Sequence, residues 1–263
     1  MISTGFSALD KCIGGLKKGK LYCLAGFNFT PPWIIEHFAI NMIANSGKSG
    51  FVYADSWGGD KPEVWENKIF FSVGESGKII DFLPDVNNGF RLYRDKAVKT
   101  SRVEEICGRF SALQRITPFD IAVFDMQKIY LPKRKYPSTS GKRADHITGI
   151  FQKMAEVYNI PIILLDEFCN FDIAEKVSTN QFRRFLCELG HDFEWDEHMY
   201  PIQLKPTSYS NTLQKAVENL IVIYQLPYYD TRFDLAVFQQ DKRVAVFEVR
   251  SYVGDDISSG KDK

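Results

Sequence analysis

The chain has 263 residues, 44% of them hydrophobic and 14% aromatic, enough to bury the core of one compact α/β domain. Its 33 basic side chains balance 33 acidic ones, which excludes a global field that would hold nucleic acid or an anionic membrane and confines any such contact to a local patch. The cysteines (Cys12, Cys23, Cys107, Cys169 and Cys187) are odd in number and form no CxxC pair, which excludes a disulfide framework or a zinc knuckle and fits buried thiols in a reducing compartment.

From Met1 to Lys20 the sequence is too polar and glycine-rich for a secretion signal, and no apolar run approaches the ~18 residues of a membrane span. A soluble, cytoplasmic protein without a membrane partner is therefore expected. Residues 21–25 form a short apolar run that predicts a buried strand, and the helical period of residues 34–44 predicts a crossover helix after it. Residues 50–54 predict the next strand. A helix is expected over 103–116, with Ser101 and Glu104 as a capping box, followed by a strand over 121–124. A third helix over 144–158 leads to strands over 162–165 and 220–224. Between these two strands, residues 168–206 read as a weakly patterned insertion. Residues 235–239 and 244–250, separated by Gln240-Asp241-Lys242-Arg243, predict an antiparallel hairpin closing the sheet edge. The alternation implies α/β architecture: a mostly parallel central sheet between helical layers, one domain over 1–252 with a disordered tail over 253–263.

The opening Thr4-Gly5-Phe6, Leu9-Asp10, Gly14-Gly15-Leu16, Gly19 and Leu24-Ala25-Gly26 resembles the start of the motor domain of DnaB-type replicative helicases. Asp120-Ile121-Ala122-Val123-Phe124-Asp125 is similar to that family's Walker B strand, and residues 159–165 are similar to the strand after it. The resemblance covers the motor domain only, and implies a RecA-like three-layer sandwich of the P-loop NTPase class. It also implies self-association or assembly with an active RecA-like or DnaB-like ATPase.

The turn after the first strand departs from the family. A nucleotide loop of the form GxxxxGK[ST] needs backbone N–H groups to wrap phosphate, a lysine for charge and a hydroxyl for magnesium. Here Gly26-Phe27-Asn28-Phe29-Thr30-Pro31-Pro32-Trp33 keeps only the first glycine, and Pro31, Pro32 and Trp33 stand where the second glycine, the lysine and the hydroxyl belong. Proline donates no N–H, so about 1.5–3 kcal/mol is missing for each lost charge-assisted contact. The same residues make a ligand-free helix start, with Thr30 as N-cap, proline in the first turn, and Phe27, Phe29 and Trp33 filling vacated space. By the resemblance, Asp55-Ser56-Trp57 occupies the place of the family's catalytic glutamate, and Gln239-Gln240-Asp241 that of its Lys-x-Arg finger, with Lys242 and Arg243 just beyond. No nucleotide or magnesium is expected, and hydrolysis of ATP is not.

Two constellations remain. Asp55, Asp125, Asp166 and Glu167 each follow a parallel strand and should converge at its carboxyl edge, where clustered carboxylates could hold magnesium. The enzyme alternative is thus a metal-dependent phosphohydrolase or nuclease, or an unconventional ATPase. The structural alternative is a Walker B remnant at Asp125, with the others satisfied locally or solvated. The loop holding Lys133, Arg134, Lys135 and Tyr136 and continuing to Lys142 and Arg143 carries cations, an aromatic and no acid, a composition suited to single-stranded DNA. In the family the corresponding loop faces the ring channel; a solvated loop is the alternative. Residues 191–198, with two histidines among acids, match no metal-ligand spacing, and Tyr224, Tyr228 and Tyr229 fit packing as well as stacking.

Overall fold

The computed structural model describes residues 1–27, 30, 32–54, 69–74, 92–96, 101–130, 141–167, 213, 215–225, 232–239 and 242–253. In chain order these form α1 (Ser7–Ile13), β1 (Leu21–Phe27), α2 (Pro32–Ser46), β2 (Gly50–Ala54), β3 (Ile69–Gly74), β4 (Leu92–Lys96) and β5 (Ser101–Arg102). Then follow α3 (Val103–Ile116), β6 (Ile121–Asp125), a 3₁₀ turn (Met126–Lys128), β7 (Ile129–Tyr130), α4 (Gly141–Tyr158) and β8 (Ile162–Glu167). The last elements are β9 (Asn219–Gln225), β10 (Arg232–Gln239) and β11 (Lys242–Val253).

Among the described residues one sheet runs in the order β3-β11-β10-β9-β1-β8-β6-β2-β4. β9, β1, β8, β6, β2 and β4 are parallel, while β10, β11 and β3 add antiparallel pairs at one side. The parallel strands at the centre are apolar on both sides because both faces are covered. Alternate side chains enter two cores: Cys23, Ala25, Phe51, Phe124 and Leu164 pack with α3 and α4, and Tyr22, Leu24, Val52, Val123 and Leu165 with α1 and α2. Phe124 lies 4.6 Å from Phe151 of α4 and Phe51 lies 5.1 Å from Phe110 of α3. The result is the expected three-layer α/β sandwich. No helix among the described residues is long and apolar enough to cross a membrane.

Four expectations need correction. The hairpin of β10 and β11 does not close the sheet, because β3 pairs antiparallel with β11 outside it, from Val253↔Ile69 to Glu248↔Gly74. Its second strand also starts earlier, at Lys242 opposite Gln239. The capping box is absent: Arg102 is the N-cap of α3 and makes no side-chain cap bond, while Ser101 stands one residue too early, its backbone paired with Ile129 in the β5–β7 ribbon. At the tail, Val253 still belongs to β11, and residues 254–263 lie outside the described set, as do 168–206. The short α1, with β3, β4, β5 and β7, was not anticipated from residue pattern; α1 spans seven residues, and β4 is mostly charged, Leu-Tyr-Arg-Asp-Lys.

The N-terminal motif acts as a clamp on α2. Asp10 of α1 accepts bonds from the Ser3 hydroxyl and from Thr4 N–H, folding the first residues back over the helix. That fold brings Phe6 onto Phe38 of α2, stacked at 4.9 Å. Gly5 has φ +79°, and a Cβ on it would lie 2.0 Å from Asn45 Cβ. Gly5→Ala should therefore cost about 3 kcal/mol or more in denaturant unfolding, combining strain with overpacking; a change under ~0.5 kcal/mol would show that α2 can move away. At the start of β9, Asn219 is 1% exposed, and neither its Oδ1 nor its Nδ2 has a partner among the described residues. Asn219→Leu should raise stability by about 1 kcal/mol; a fall would mean that the amide holds a buried water.

Candidate functional site at the carboxyl edge of the sheet

The ends of the parallel strands converge here by register. β1 lies between β8 and β9, so Gly26 stands opposite Glu167 on one side and Ile223 on the other. Gly26 faces α2 closely: a Cβ there would meet Ile35 Cδ1 at 2.3 Å. α2 starts at Pro32, which places a proline at the first helical position, as its fixed φ and missing N–H favour. Thr30 does not immediately precede the helix as an N-cap would; it is 5% exposed and its Oγ1 donates to Ile223 O of β9 at 3.1 Å. The start of α2 is thus tethered across β1 to the neighbouring strand. Asn28, Phe29 and Pro31 lie outside the described residues, as do the side chains of Phe27, Pro32 and Trp33.

A magnesium nucleotide would need several amides, a lysine and a hydroxyl at this turn. The residues present do not fit it: Pro31 and Pro32 carry no N–H, and Trp33 has no hydroxyl.

Asp125 and Asp166 both stand at this edge, and Gln127, which no motif singles out, joins them. Gln127 donates its backbone N–H to Asp125 Oδ1 at 2.8 Å and its Nε2 to Asp166 Oδ1 at 3.0 Å. The first bond follows from the sequence, since an aspartate at the cap of a short turn accepts from the N–H two residues on. The second has no local signal. The two carboxylates also differ in face. Ile121 and Val123 precede Asp125 in the core under α1 and α2, whereas Ile162 and Leu164 precede Asp166 in the core under α3 and α4. Asp166 is 2% exposed, and Asp125 is half-buried.

Burial, reinforced by the charge of Asp166, pushes the Cys23 thiol well above its ordinary range and keeps it neutral. Cys107 on α3 is likewise pushed up to about 11, by burial first and then by Glu104. Glu167 is in β8, with its side chain outside the described set, and Asp55 lies wholly outside it. Among the described residues no group of three or more His, Cys, Asp or Glu side chains is placed to hold a metal.

Lys133, Arg134, Lys135 and Tyr136 lie outside the described residues, but the roots of their segment are described. The chain enters it from β7, whose Tyr130 pairs with Arg102 of β5, and returns from it at Gly141, the first residue of α4. Lys142 is exposed, and the Arg143 side chain is outside the described set. Residues 191–198, Tyr228 and Tyr229, and the side chains of Tyr224, Lys242 and Arg243, also fall outside it.

No protein-family model matches the chain, and no curated protein matches it in sequence. Solved structures do. A RadB recombinase superposes with a TM-score of 0.53 at 16% identity, covering 95% of this chain and 96% of that one. A second solved structure, an isolated ATPase domain, gives 0.58 at 15% identity over 94% of this chain and 86% of that one. A DnaB-like replicative helicase, whose structure was described together with its interactions with primase, gives 0.58 at 13% identity, with 94% and 58% covered. At these identities the likeness concerns the fold, and the order of strands and the two helical layers agree with it: the chain has the RecA-like fold of these recombinase, ATPase and helicase structures.

Proposed function

We propose that this chain is a RecA-fold protein that has given up ATP hydrolysis and serves as a binding or assembly component in the cytoplasm. It would contact single-stranded DNA, a second copy of itself or an active ATPase of the same fold. The observation that carries this reading is the way the chain enters α2. The helix starts on Pro32, preceded by Pro31, and Thr30 is tied to Ile223 O, in the turn where a nucleotide loop would present amides and a lysine. Proline removes the donors outright, and no rearrangement of side chains restores them. DNA contact is supported by the cationic segment with Lys133, Arg134, Lys135 and Tyr136, and by its roots at the carboxyl edge. The similar structures include those of a recombinase and of a replicative helicase, and DNA work of that kind is in keeping with this reading.

A second reading, an unconventional ATPase or magnesium-dependent phosphohydrolase, is favoured by one observation: Asp125 and Asp166 stand at the same edge, joined through Gln127. The two readings differ in what they need from Asp125. In the first, Asp125→Asn leaves DNA affinity unchanged, because this carboxylate caps a turn. In the second it abolishes turnover.

Fluorescence anisotropy of labelled single-stranded DNA, at low and near-physiological salt and with or without Mg-ATP, tests the proposal. Salt-sensitive binding is expected that does not respond to Mg-ATP and is lost when Lys133, Arg134 and Lys135 are changed to Ala. Absence of binding at either salt would remove DNA as the partner. Phosphate release from ATP that Asp125→Asn eliminates would overturn the non-hydrolysing reading.

A further inference from the structure

We draw no further inference here: the strongest candidate, the outer edge of β3 (Ile69–Gly74), a strand without a charged residue that lies beyond β11 at the end of the sheet, carries nothing because nothing in the structure shows what covers it.

Discussion

Parallel pairing of β1 with β8 on one side and β9 on the other is the constraint on which the rest of the molecule depends, because it sets where three strands end together. From Leu21↔Ile162 to Gly26↔Glu167, and from Tyr22↔Asn219 to Phe27↔Tyr224, the register brings Ala25 level with Asp166 and Gly26 level with Ile223. A slip of one residue would turn Leu24 and Leu165 out of the core under α2 and exchange them with Cys23 and Leu164 on the other face. Burial on both faces thus holds the edge geometry in register.

That lock extends to α2 through two attachments of different kinds. Ahead of β1, the clamp of Asp10 on Ser3 and Thr4 seats Phe6 against Phe38 and demands a glycine where Gly5 meets Asn45. After β1, the Thr30 hydroxyl reaches Ile223 O, and Ile35 closes on Gly26. Within the motif that resembles the opening of a helicase motor, Gly5, Phe6 and Gly26 are accounted for by close packing against this helix. The prolines concern the chemistry of the turn instead, since they remove amides while remaining well suited to a helix start.

At the carboxyl edge, Gln127 converts two acidic strand ends into one hydrogen-bonded unit. Asp125 and Asp166 leave the sheet toward different layers, as the pleat requires, and Gln127 connects them with its backbone N–H on the first and its side-chain amide on the second. On the α3–α4 side of the same edge, the small β5–β7 ribbon performs a similar service for the backbone, joining the start of α3 to the departure of the cationic segment.

The sequence by itself determined the elements whose signal is local. The apolar runs that become β1, β2, β6, β8 and β9 were legible because buried parallel strands carry apolar residues on both faces. Helical period placed α2, α3 and α4, with α3 matching from Val103 to Ile116 and α4 starting earlier, at Gly141. That Pro31 and Pro32 bring no N–H, and Trp33 no hydroxyl, to the turn after β1 was equally legible, since a missing donor is a property of the residue. Tertiary structure alone decided that β3 lies outside β11, that Thr30 bonds to β9 and does not directly precede its helix, that Gln127 reaches Asp166, and that Arg102 stands beside Tyr130. Each joins segments distant in the chain, and such a contact is set by which strands pair and which face each side chain takes, neither of which a local run of residues encodes.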